Sequence, residues 1–384
     1  MIRRKGQLMR ILVVMDSFKG SMTSLQAGQA VKDGILKVCP DADVIVRPMA
    51  DGGEGTCEAL SYGMDGNKIT IEVEGPFGDR INASYFIVNG ADTAIIESAS
   101  ACGITLVSKH RLDPMTASSY GLGEMISDAI ERGCRRIIIG LGGVATNDGG
   151  IGMLQGLGFS FRTADDREAA RGAVALRDLR SIEMSPVWNK IRNVEFIAAT
   201  DVTNPLYGPE GASFVFAPQK GASMENVALM DKWMEEYSKI TERTIPDADP
   251  YREGSGAAGG LGFAIMSYLG GKRISGAELI IEETDLDDLI SNADMVISGE
   301  GRIDRQTVMG KTVGILAKRS EKAGTRLIAI GGSVDIPDGL CRDAGIREVY
   351  EIERINEDYM QTDKAMENLS LTVSSLLKYR YTSM

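Results

Sequence analysis

Short apolar runs of β-branched residues alternate along this chain with longer stretches in which apolar residues recur every three or four positions, the patterns of strands and helices in turn. Residues 9–15 predict a buried parallel strand, and Ser24 the N-cap of a helix over roughly Leu25–Cys39. Val44–Val46 predicts a second strand, again followed by a helix. Between residues 68 and 98 the period changes to two around a Pro-Phe-Gly-Asp turn, which predicts antiparallel strands. A helix is expected over Tyr120–Glu131. Ile137–Ile139 then makes a fully apolar strand, and Ile151, Met153, Leu154, Leu157 and Phe159 recur at the spacing of the next helix. From there to about Asn193 the patterning is poor and reads as surface. Val194–Ala199 predicts a strand, with helices over Met224–Ile240 and opening at Gly254–Gly262. The parallel rhythm returns from Asp294. Strands are expected at Met295–Ser298, Leu327–Ile330 and Val349–Ile352, helices over Thr312–Ala323 and from Thr362 onward.

This alternation predicts an α/β protein with a parallel sheet, interrupted by a mixed section. At 384 residues the chain has room for two or three domains. A net charge of −12 with no basic run argues against a nucleic-acid surface. No stretch has the length of a transmembrane helix. Arg10 interrupts the first apolar run and Asp16 ends it, which reads as a strand rather than a signal peptide. The five cysteines contain no C-x-x-C pair, so neither a zinc site nor a disulfide framework is expected and the cytoplasm is the default. Glycine is the compositional outlier, with 45 residues gathered in a few loops, where backbone must come close to something.

Five loops share one composition: glycine with an acid, or glycine with a lysine, beyond a strand end. That edge is where open α/β sheets bind ligands. The acids are Asp16, Asp51, Glu54, Asp148, Asp201, Glu300 and Asp304; the cations are Lys19, Lys220, Arg302 and Lys311. Phosphoryl transfer needs such a set: N–H groups and cations for phosphates, carboxylates for Mg²⁺, and a carboxylate to take the acceptor's proton. The plainest loop is Gly140–Gly150, where Asp148 is either a metal-facing acid beside bound phosphate or simply a cap on the following turn. Lys220 could likewise cap a strand end, and Glu300 pair with Arg302.

Standard nucleotide motifs fail. Gly310-Lys311-Thr312 ends like a Walker A, but Arg305 stands where its first glycine belongs. The protein-kinase motifs are absent. His110 is the lone histidine and lies in a polar loop, which leaves serine–histidine chemistry and two-histidine metal sites without residues. Gly140-Leu141-Gly142-Gly143-Val144-Ala145 satisfies a dinucleotide fingerprint, the basis of a competing oxidoreductase reading. Its ribose-binding acid would have to be Asp165 or Asp166, to which no convincing strand leads. A binding module without catalysis is the third class, disfavoured because unused carboxylate clusters repel one another.

Taken together and in order, Asp16–Ser21, ADGGEGT at 50–56, SSYGLGE at 118–124, IGLGGVATNDGG at 139–150, DVTNPLYGPEGAS at 201–213, PQKGA at 218–222, GSGAAGGLG at 254–262 and SGEGRIDRQTVMGK at 298–311 resemble the bacterial glycerate kinases of the first class. The resemblance runs from about Met9 to beyond Gly332. Val144, Leu122, Met309 and Met15 depart from residues frequent in that family, but none of them removes a charge. The resemblance implies a flavodoxin-like parallel domain from residues 1–70 and 291–384, an inserted mixed α/β domain at 71–290, and a site in the cleft between them. It implies ATP and Mg²⁺ as cofactors and D-glycerate as substrate. The 2-hydroxyl would be phosphorylated, with the 3-hydroxyl as alternative, by a cytoplasmic monomer or homodimer that binds neither nucleic acid nor membrane.

Expected roles follow on these loops. Ser17, Lys19, Gly20, Gly142, Gly143, Thr146, Asn147, Gly149, Gly256, Gly259 and Lys311 would surround the nucleotide phosphates. Asp51, Glu54, Asp148 and Glu300 are the metal candidates. Asp201 or Asp304 would accept the hydroxyl proton. Arg302 or Lys220, with Asp16 and Asn204 nearby, would hold the glycerate.

Overall fold

The computed structural model describes residues 8–50, 55–64, 66–88, 90, 92–184, 187–308, 311–355, 358 and 360–381. Its strands in chain order are β1 (Arg10–Met15), β2 (Asp43–Pro48), β3 (Asn67–Glu74), β4 (Arg80–Val88), β5 (Thr93–Glu97), β6 (Arg136–Gly140) and β7 (Ser160–Thr163). There follow β8 (Leu179–Glu183), β9 (Glu195–Ala199), β10 (Lys272–Ile274), β11 (Met295–Glu300), β12 (Arg326–Gly331) and β13 (Glu348–Glu351). The chain divides into two compact units, one of residues 1–51, 58–63 and 277–384, the other of residues 52–57 and 64–276.

The first unit is built on a sheet of order β13-β12-β11-β1-β2, in which every pairing is parallel. Counting this unit's own strands, that is the 2-1-3-4-5 order of flavodoxin-like folds. Ile11, Val13, Met15, Ile297, Ile328 and Ile330 point from the strands into a core closed by Val31 and Ile35 of one helix and Leu369 and Val373 of another. Those helices, Ser24–Leu36 and Thr362–Tyr381, meet closely at Gly34, where an added Cβ would lie 2.5 Å from the carbonyl oxygen of Ser370. The N-cap of the first is Thr23, not Ser24: the Gln26 amide N–H donates to the Thr23 hydroxyl and the Gln26 side chain accepts from the Thr23 N–H. This T-x-x-Q box fixes the start because both orphan amides find partners.

The second unit carries a sheet of order β10-β9-β6-β5-β4-β3, parallel from β10 to β5 and antiparallel from β5 to β3. The two-domain α/β class expected from the sequence is therefore the one observed. The unit boundaries fall differently from 70 and 291. All of β3 pairs with β4, which carries residues from Asn67 into the second unit's sheet. At the other end, Gly276–Glu283 and Leu286–Asn292 are helices, and residues 277–292 belong to the first unit. The weakly patterned stretch after residue 158 contains the antiparallel pair β7–β8, which stands apart from the main sheet.

Candidate active site

In the first unit, the strand order reverses between β1 and β11, and the crevice beyond their carboxyl ends is the place where open α/β sheets take ligands. Asp16 follows β1. Its amide donates to the Gly299 carbonyl at 2.8 Å, which holds the two strand ends together, and its carboxylate accepts from the Ser17 amide at 2.6 Å and the Thr312 hydroxyl at 2.9 Å. Glu300 ends β11 and is 7% exposed; its Oε1 accepts from the Thr307 hydroxyl at 2.7 Å. Burial pushes the Glu300 carboxyl up to about 7, and Asp16 and Asp304 add to that, while Thr307 and Lys311 oppose it. Asp304 caps the short helix Arg305–Val308 by accepting from the Gln306 amide at 2.8 Å, and its other oxygen lies 3.6 Å from the Arg302 guanidinium. Arg302 is exposed and also pairs with Asp335. Lys19 and Gly20 are exposed on the loop after β1, and the Lys19 side chain has no hydrogen-bond or ion-pair partner among the described residues. Asp16, Ser17, Lys19, Glu300, Arg302, Asp304 and Lys311 thus share one edge of one sheet.

In the second unit most of the expected site residues are buried. Asp148 is 0% exposed, and its oxygens accept from the Ser119 amide and hydroxyl, both at 2.9 Å, from the Gly150 amide at 3.1 Å and from the Gly152 amide at 3.3 Å. It is the anion at the start of the helix Ile151–Leu157, supplied by the chain itself. In this structure it caps that helix, and burial raises its pKa. Some backbone N–H groups here bond within the chain: Ala145 donates to Cys102, Gly149 to Gly259 and Ile151 to Asp148. Residues 144–150 are buried, which leaves Gly142 and Gly143 as the accessible part of this loop.

Thr146, Asn147, Gly149, Gly256 and Gly259 are all buried. An added Cβ at Gly259, whose φ is +68°, would lie 2.3 Å from the Thr146 carbonyl oxygen, and one at Gly256 would lie 2.2 Å from that of Pro205. Asn147 donates to the Ser213 hydroxyl at 2.9 Å in a fully buried position. Lys220 is 3% exposed and donates to the Thr146 carbonyl at 2.6 Å. Burial lowers its pKa to about 8, against the opposing pull of Cys102 and Asp148. So enclosed, the ammonium braces the 146–150 loop. Asn204 holds its own turn, donating to the Glu210 carbonyl at 2.8 Å and accepting from the Gly256 amide at 2.9 Å. Asp201 is exposed just past β9. Asp51 and Glu54 lie outside the described residues.

Residues that pattern alone did not single out are Ser119, Thr307 and Thr312, which position the acids, and Glu97, whose carboxylate accepts from the Gly55 amide at 2.9 Å and the Cys57 amide at 3.1 Å. The dinucleotide reading loses its basis. Asp148 occupies the helix N-terminus that a pyrophosphate would need, and Asp165 and Asp166 sit in the turn after β7, a strand outside the parallel sheet. Among the described residues no helix is long and apolar enough to cross a membrane.

A flavodoxin-order sheet whose switch-point loops gather carboxylates, a lysine and hydroxyls defines an α/β phosphotransferase. The model of the glycerate kinase family matches residues 11–379, and the chain belongs to that family. It is 38% identical over 370 residues to a glycerate kinase of Halalkalibacterium halodurans, covering 95% of this chain and 97% of that one. It is also 38% identical over 344 residues to the glycerate 2-kinase of Escherichia coli, covering 90% of each. A crystal structure from Salmonella typhimurium LT2, assigned by name as a glycerate kinase 2, superposes with a TM-score of 0.87 at 36% identity, over 98% of this chain and 99% of that one.

Proposed function

We propose that this chain transfers the γ-phosphoryl group of ATP to the 2-hydroxyl of D-glycerate, giving 2-phosphoglycerate and ADP. The observation that carries the reading is the grouping of Asp16, Glu300 and Asp304 with Lys311 at the switch point of the first unit's sheet, in a chain whose residues 11–379 match the glycerate kinase family. The choice of the 2-hydroxyl is supported by the name of the Escherichia coli relative. Five free cysteines are in keeping with a reduced cytoplasm.

Magnesium fits the donors present. Among the described residues no three acids, histidines or cysteines form a metal cage. Mg²⁺ does not require one, being commonly bound by one or two carboxylates together with substrate phosphates and waters. Glu300 and Asp16 are the carboxylates to hold it, and burial pushes the Glu300 carboxyl up to about 7. When bound, the ion would offset phosphate charge. The other steps belong to the chain. Lys19 places its ammonium on the transferring phosphates. Arg302 offers a planar fork to the glycerate carboxylate. Asp304 accepts the proton of the attacking hydroxyl, and the Ser17 and Thr312 contacts keep Asp16 in one orientation.

The test is incubation of the protein with ATP, Mg²⁺ and D-glycerate, followed by ³¹P NMR. Equal amounts of ADP and 2-phosphoglycerate support the proposal. Formation of 3-phosphoglycerate overturns the position, and no phosphoglycerate at all overturns the function.

A further inference from the structure

A cavity of about 230 Å³ opens at the carboxyl edge of the first unit's sheet, beside the acids and sharing Lys19 with them. Phe18, Met22 and Ile352 give it apolar walls, Asn368 a buried polar group, and Lys19 and Arg354 two cations at exposed positions. Gly301 and Gly332 are part of its lining, and a side chain at Gly332 would press its Cβ to within 2.7 Å of the Gly301 carbonyl oxygen.

Resting on the reading that the chain is an ATP-dependent kinase, we infer that this cavity receives the nucleoside end of the nucleoside triphosphate. Size comes first. The volume lies below the range of about 300–1,000 Å³ typical of cavities that enclose drug-sized ligands, so one end of a nucleotide seats while the rest extends from the mouth. Lining decides which end. A triphosphate, or a three-carbon hydroxy acid, is polar on every side and would leave oxygens unpaired against Phe18, Met22 and Ile352, a cost of about 1–3 kcal/mol per group. A nucleobase has apolar faces and a polar edge. Its faces suit those walls and the plane of the Arg354 guanidinium, which stacks on aromatic rings. Its edge has Asn368 within the same cavity.

The position of Lys19 gives the direction of the chain of phosphates. Lys19 stands at the cavity, and so does Gly301, which directly follows Glu300. A triphosphate leaving the cavity past Lys19 is therefore delivered to the carboxylate group. Arg354, just beyond β13, is a nucleoside-contacting residue that no motif in the sequence marks.

Arg354→Ala and Ser333→Phe test this, the first removing the stacking plane and the second filling the cavity from its half-buried wall. Both are compared with wild type for KM of ATP, KM of D-glycerate and the Kd of a fluorescent ribose-labelled ATP measured without glycerate. Melting temperature serves as the check on folding. The expected result is a rise of tenfold or more in KM for ATP and in the analogue's Kd, with KM for glycerate within about threefold. A rise in KM for glycerate with KM for ATP unchanged assigns the cavity to the acid and overturns the inference, as does no change in either. If wild type binds the analogue and both variants weaken it, yet no glycerate is phosphorylated, the cavity assignment stands and the proposed function falls.

Discussion

Glu300→Gln separates what the acid group does for activity from what it does to stability. The variant keeps the shape of the side chain and an acceptor for the Thr307 hydroxyl, 2.7 Å away, while removing the charge. In the folded protein the Glu300 carboxyl is raised from an ordinary 4.5 to about 7. Below pH 4.5 folded and unfolded chains both hold the proton. Between 4.5 and 7 the unfolded chain releases it first, so stability falls as pH rises, and above 7 the loss is complete. At 1.36 kcal/mol per pH unit, the full loss is about 3 kcal/mol, undiminished by solvent because Glu300 is 7% exposed. Glutamine avoids this. In calorimetry without Mg²⁺ at pH 8, the first unit of the variant should melt roughly 6–12 °C above wild type, taking about 2–4 °C per kcal/mol for a unit of this size. At pH 5 the two should differ by about 1 kcal/mol or less. Turnover with ATP and glycerate should fall by a hundredfold or more in the same variant. An equal stability gain at both pH values, or none, would refute the account of a carboxylate held up by burial.

The remaining expectations concern the second unit. Asp148→Asn should lower its stability by about 3 kcal/mol or more, since an amide turns a donor toward amides that Asp148 now satisfies with charge-assisted bonds. A variant that melts like wild type but needs more Mg²⁺ for activity would restore Asp148 as a metal ligand. Lys220 titrates near 8 in the folded chain and near 10.5 when unfolded, so the unfolded chain holds more protons between those values and stability should rise with pH there, by up to about 3 kcal/mol. Lys220→Met should abolish that rise, as measured by urea unfolding from pH 8 to 10.5; an unchanged slope would place the amine in water.

The sequence patterns led to the sheets because buried parallel strands announce themselves: Arg10–Met15 and Met295–Glu300 carry apolar runs that no surface would accept. Helices were equally legible where a glycine stops them: Thr312–Ala323 begins and ends where its pattern does, closed by Gly324 in the left-handed region. The pair Ser160–Thr163 and Leu179–Glu183 was not, since short strands outside the main sheet leave too few buried positions to show a period. What pattern could not reveal is direction. An acid in a glycine loop faces either a ligand or its own backbone. For Asp148 the deciding partner is Ser119, which lies 29 residues away. The buried state of Lys220 depends in the same way on Thr146, 74 residues distant. Thr23 could have been found, because Gln26 stands at the third position of its box. Arg354 also had a faint signal: it is a cation just beyond the last parallel strand, on the edge where the other loops gather.

Lys19→Ala is the most direct test of the claim that the first unit's strand-end loops carry out phosphoryl transfer. Lys19 is exposed and its side chain has no partner among the described residues, so the substitution should leave the melting temperature where it was. Steady-state kinetics with ATP, Mg²⁺ and D-glycerate should show kcat/KM reduced by about 10²–10³, equivalent to about 2.7–4 kcal/mol of transition-state stabilisation. A Lys19→Ala enzyme with wild-type kcat/KM would contradict the account and move the chemistry away from this sheet edge.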